Sequence, residues 1–147
     1  MKSQWLDRIT IARVLIGLVL FFNLQAAFLF VMDPAPYTAG FEVSGVAGEK
    51  LVQGMGILFL MWNVPYGFAL VHPLRYRISL VQAIIMQAIG VIGESILLLT
   101  LPSGHSMLAA TALRFIVFDG AGLFGLVIAW VITRRLPETR IIDRSSS

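Results

Sequence analysis

The chain has 147 residues, 58% of them hydrophobic and 13% charged, with a mean hydropathy of +0.86. That is one domain's length and far more apolar than a soluble globular domain, so a lipid bilayer is the expected solvent. The net charge of +3 does not point to nucleic acid, because the basic residues flank apolar runs instead of forming a patch, and the lack of cysteine excludes disulfides, thiol redox chemistry and thiolate metal sites.

Residues 1–13 mix Trp5, Leu6, Ile9 and Ile11 with Lys2, Asp7, Arg8 and Arg13, which predicts a short helical lead-in at the headgroup level. The apolar run from Val14 is too long for a signal-peptide core and reads as a retained first span over 14–32. Asp33-Pro34-Ala35-Pro36 stops it, since proline removes a donor and restricts the residue before it. The outer loop over 33–50 is long and carries Tyr37, Phe41 and Val43, so it is expected to fold back on the bundle as a lid.

The second span, 51–71, places Gln53, Gly56, Leu60, Asn63 and Gly67 at steps of three and four, a small and polar stripe that should meet other helices. Pro65 should kink it by freeing the Met61 carbonyl, with Asn63 near as a compensating donor. Trp62 lies too deep for an interfacial belt and is expected to pack in the bundle or line a pocket. After a turn holding Arg75 and Arg77, the third span, 79–101, aligns Ala83, Gln87, Gly90 and Glu94 on one face. The fourth, 106–133, carries Gly120, Ala121, Gly122 and Gly125, which permit close helix approach. A polar tail, 134–147, holds Arg134, Arg135, Arg140 and Arg144.

The expected fold is therefore all-α: an integral membrane four-helix bundle running up-down-up-down. Nine basic residues lie at the amino terminus, the second loop and the tail, while the first and third loops hold only Lys50. Such an excess predicts cytoplasmic amino and carboxyl termini in the cell membrane, with Trp5, Tyr76 and Trp130 at the inner interface.

The informative residues are the charges inside the spans. A charged group at helix centre costs roughly 2.5–3.5 kcal/mol on insertion scales, so it usually faces the bundle interior and pairs. Glu94 lies roughly 10 Å below the outer end of its helix and Arg114 roughly 12 Å below the end of its own, at about 1.5 Å rise per residue. Their equal depth predicts a buried ion pair. Asp119 is deeper and points roughly 140° away from Arg114 on an ideal helix, so Asn23, Asn63 and Gln87 are its candidate partners. His72 and His105 fall at opposite ends of the bundle and cannot share a metal or haem, no glycine-rich phosphate loop occurs, and no Ser, His and Asp converge at one depth. Neither a metal nor a cofactor is called for.

In layout the chain resembles the DoxX-like group of small four-helix membrane proteins: the opening RVLIGLVLFF, the long outer loop, and Glu49 in GEKLVQGMGILF before a glycine-bearing second span. The basic residue that often closes the first helix in that group is replaced by the Gln25-Ala26 region. The resemblance implies a four-helix bundle and a role as partner of membrane redox or stress-response proteins.

A buried centre built from Glu94, Arg114 and Asp119 with Asn63, Gln87, Trp62 and Tyr66 can simply fix helix register or serve as a ligand, ion or proton site, and two functions are expected. The first is a binding or accessory subunit that docks on a larger membrane complex, or on itself, through its Gly/Ala faces. The alternative is a pocket protein, an isomerase or carrier for a lipid-soluble or amine ligand, with Glu94 and Asp119 as proton-exchanging carboxyls and Trp62, Tyr66, Phe115 and Phe118 as walls.

Overall fold

The computed structural model describes residues 2–136, and the outer part of the polar tail, with Arg140 and Arg144, lies outside them. Among the described residues the chain is all-helical: α1 (Lys2–Met32), α2 (Ala35–Thr38), a 3-10 turn (Ala39–Phe41), α3 (Gly45–Trp62), α4 (Val64–Val71), α5 (Arg77–Thr100) and α6 (Ser106–Thr133). Four helical stretches are long and apolar enough to cross a membrane: Trp5–Met32, Gly45–Val71, Arg77–Thr100 and Ser106–Thr133.

Three boundaries differ from expectation. The lead-in and first span are one continuous helix, because nothing between Lys2 and Met32 interrupts the hydrogen-bond ladder until Pro34. The second helix begins at Gly45, six residues before the apolar run at Leu51, with Ser44 extended just ahead of it. It then breaks at Asn63, leaving Pro65 in the first turn of α4, where a missing N–H is tolerated. The Asn63 side chain compensates a different carbonyl from the one expected: Nδ2 donates to Phe59 O at 2.6 Å, not to Met61.

Helix α1 packs on α3, α4 and α6, while α5 packs on α4 and α6. Close approach depends on small residues. A Cβ on Gly56 would lie 2.9 Å from the Ala27 carbonyl oxygen and 2.8 Å from Val31 Cγ2, so α1 and α3 touch backbone to backbone there. Beside it Gln53 Nε2 donates to Val31 O at 2.8 Å, and near the other end of α1 Arg13 Nε donates to Leu70 O at 3.1 Å. Arg77 donates to the carbonyls of Thr133, Arg134 and Leu136, satisfying the orphan acceptors at the end of α6.

The two ends of the bundle are built differently. Ala12, Ile16, Ala69, Leu80, Ala83, Leu126 and Ala129 form a closed core at the end that holds Arg13, Arg75, Arg77 and Arg134. At the opposite end phenylalanine rings stand between the helices instead: Phe30 is 5.9 Å from Phe59 and 6.4 Å from Phe115, centroid to centroid. Alanine lets helices close; phenylalanine holds them apart. Outside, the long helices present large apolar side chains all round, such as Phe124 at 69% and Leu99 at 84% exposure.

Candidate functional site

At the phenylalanine end the helices enclose a cavity of about 620 Å³. Glu94, Arg114, Asp119, Asn63, Gln87, Trp62 and Tyr66 all line it, as do Phe115 and Phe118. The loop after α1 covers it: Tyr37 packs on Phe30 at 4.9 Å and Phe41 on Phe115 at 6.1 Å.

The floor is a hydrogen-bonded chain across three helices. Tyr66 O–H donates to Gln87 Oε1 at 2.5 Å, with Ala83 O as a second acceptor at 3.2 Å, and Gln87 Nε2 donates to Asp119 Oδ1 at 2.9 Å. Of the three partners considered for Asp119, it is Gln87 that bonds it. Equal depth explains why: Gln87 is thirteen residues from the end of α5 and Asp119 thirteen from the start of α6, roughly 20 Å in each case. Two glycines make the room. A Cβ on Gly90 would collide with Asp119 Oδ2, and one on Gly122 would lie 2.7 Å from Gln87 Nε2. The helical stripe that aligned Gln87 and Gly90 marked this face.

The expected Glu94–Arg114 ion pair does not form. Among the described residues no Arg or Lys nitrogen lies within bridging distance of a carboxylate, and the one acid–base pair is His105 with Glu42. Arg114 instead turns along its own helix, Nε to Ala110 O at 3.4 Å and Nη2 to Thr111 Oγ1 at 3.3 Å, toward the covering loop. Equal depth sets the level of two side chains but not their direction, and backbone and hydroxyl acceptors lay nearer. Nor is the centre buried in the full sense: no charged side chain of the described residues is, Glu94 and Asp119 being half-buried and Arg114 exposed. Glu94 Oε2 and Asn63 Oδ1 are left buried with no hydrogen-bond partner.

The covering loop is fastened by residues that sequence reasoning treated as ordinary. Thr111 Oγ1 donates to Gly40 O at 2.7 Å. Glu42 adopts a left-handed backbone, φ 54°, a strained conformation for a side chain of this kind. It is held there by His105 Nδ1 on Oε2 at 2.5 Å and by the Leu108 amide on Oε1 at 3.1 Å. The His105 hydrogen bond first, and the Leu108 amide second, hold the Glu42 carboxyl below its ordinary value of 4.5. Glu42 thereby also caps the amino end of α6, where a carboxylate satisfies free N–H groups. Sixty-three residues separate Glu42 from His105, so no local pattern announces the pair.

Among the described residues no three His, Asp or Glu side chains gather as a metal site would. The chemistry the cavity offers is apolar enclosure by aromatic rings with two carboxyls, amides and one guanidinium on the wall. No family model matches the chain, and no curated protein or solved structure matches it.

Proposed function

We propose that this chain is a multi-pass cell-membrane protein, an up-down-up-down bundle with both termini cytoplasmic, that binds a lipid-soluble small molecule between its helices. One observation carries the functional part: a single cavity of about 620 Å³ is lined by Glu94, Arg114, Asp119, Asn63, Gln87, Trp62 and Tyr66 together. Sites for small ligands are concave, mostly apolar, about 300–1,000 Å³, and carry a few placed polar groups. The outward-facing apolar side chains support the membrane reading, and the arginines at the alanine-packed end support the orientation. The layout shared with DoxX-like proteins accords with the same architecture.

A docking role draws on a different observation. Added Cβ atoms on Gly54, Gly67, Gly93 and Gly120 would meet nothing within 4 Å, so the bundle's outer faces carry small residues that a neighbouring helix could approach closely. Native mass spectrometry of the protein gently extracted from its own membrane separates the two. A reproducible small-molecule adduct is expected. Co-extraction with other subunits and no adduct would replace the pocket reading with the docking one.

A further inference from the structure

The hydrogen bonds made on the cavity wall leave two particular acceptors out. Four donors on that wall are spent within the chain: Tyr66 O–H to Gln87, Gln87 Nε2 to Asp119, Thr111 O–H to Gly40, and Asn63 Nδ2 to Phe59. Arg114 is turned to Ala110 and Thr111 at the loop end. Asn23, Gln25, Tyr37 and Trp62, also on the wall, bring further donors. Two acceptors nonetheless stay buried without a donor. Asn63 is 6% exposed and its Oδ1 has no partner. The amide cannot be turned round to hide this, because the Phe59 carbonyl at 2.6 Å accepts only from Nδ2. Glu94 Oε2 is likewise buried and unpartnered, and the broad last torsion of a glutamate lets either oxygen reach the cavity.

Charge leans the same way. Two acids, Glu94 and Asp119, face one base, Arg114, on the cavity wall. Asp119 has a chain donor, Gln87 Nε2 on Oδ1, whereas Glu94 has no chain partner. The remaining walls are the faces and edges of Phe30, Phe59, Phe115 and Phe118, surfaces that accept both hydrocarbon and cations.

We infer that the ligand is a protonated lipophilic amine bearing N–H groups, its ammonium held by Glu94 and its apolar body among the phenylalanines. This rests on the pocket reading above and narrows it to one substrate class.

The test is calorimetric titration of the full chain in nanodiscs of zwitterionic lipid, with protein-free nanodiscs subtracted. The probes share one apolar body: 4-phenylbutylamine, 4-phenylbutanol, 4-phenylbutyrate and the quaternary N,N,N-trimethyl form of the amine. The amine should bind at least about tenfold more tightly than the other three, as one charge-assisted hydrogen bond implies. Glu94→Gln should remove most of that preference, with Asp7→Asn as a control carboxyl far along α1. Should Glu94→Gln fail to fold, the ranking on the unaltered chain still decides. Equal binding of amine, alcohol and acid would leave the pocket standing and overturn the amine inference. Preference for the acid would overturn it in favour of Arg114 as the anchor. Equal binding of the quaternary form would overturn the requirement for N–H donors. Binding of none would overturn the pocket reading itself.

Discussion

Gly90→Ala offers the sharpest test of how the cavity floor is built. A Cβ at this position would collide with Asp119 Oδ2 and lie 3.2 Å from its Cγ, so the carboxyl must swing away and surrender the 2.9 Å bond from Gln87. A hydrogen bond to a charged group contributes about 1.5–3 kcal/mol. Against this, alanine is favoured over glycine in a helix interior by about 1 kcal/mol. The net expectation is a destabilisation of roughly 0.5–2 kcal/mol. In an Asp119→Ala background the obstructing carboxyl is gone, and the same substitution should stabilise by about 1 kcal/mol from propensity alone. The coupling between the two positions is then about 1.5–3 kcal/mol, within the range that contacting residues show. Equilibrium unfolding of the four proteins by an ionic detergent in mixed micelles measures it. Equal destabilisation by Gly90→Ala in both backgrounds would show that the glycine serves something other than room for Asp119.

Tyr66→Phe removes the donor to Gln87 Oε1 and leaves that acceptor buried, so it should cost about 1–3 kcal/mol in the same unfolding assay; a loss below about 0.5 kcal/mol would mean the floor is not a connected chain. A double-mutant cycle between Glu94 and Arg114 should show coupling below about 0.5 kcal/mol, and exchanging the two charges should rescue nothing, because the pair does not touch. Glu42, whose folded carboxyl titrates below its ordinary value of 4.5, lends stability to the loop that is fully present above that value and lost as pH falls through the lowered folded one. Hydrogen exchange of the 37–44 amides, corrected for intrinsic rate, should therefore quicken on acidification below about pH 4.5, and Glu42→Gln should flatten that dependence.

The long helices were legible in the sequence because apolar runs with few charges have one economical conformation in an apolar medium. The polar face of the third span was legible for the same periodic reason, and it put Gln87, Gly90 and Glu94 on the cavity side. What stayed hidden depends on direction. Axial rise sets the level of Glu94 and Arg114 but says nothing of torsions, and the guanidinium bonds Ala110 O and Thr111 Oγ1 instead. The break at Asn63 was hidden because Pro65 reads equally as a kink or as the first turn of a new helix. The Glu42–His105 fastening joins two loops far apart in the chain, and only the closed bundle brings them together.

Glu94 and Asp119 look equivalent in the sequence, each an acid set among apolar residues with glycine beside it. The structure separates them. Around Asp119 the chain supplies an amide donor from Gln87, a hydroxyl from Tyr66 behind it, and two glycines that clear the space. Around Glu94 it supplies no donor to the buried oxygen. A polar group whose partners all come from the chain is already at its free-energy minimum, and disturbing it shows as lost stability. One left unpartnered keeps the desolvation penalty until something outside the chain relieves it, and that relief is binding free energy. Substitution at Asp119 should therefore register mainly in unfolding, and substitution at Glu94 mainly in ligand affinity. If both acids moved the same observable by the same amount, the division between floor and anchor would be wrong, and the cavity would be a single coupled polar cluster.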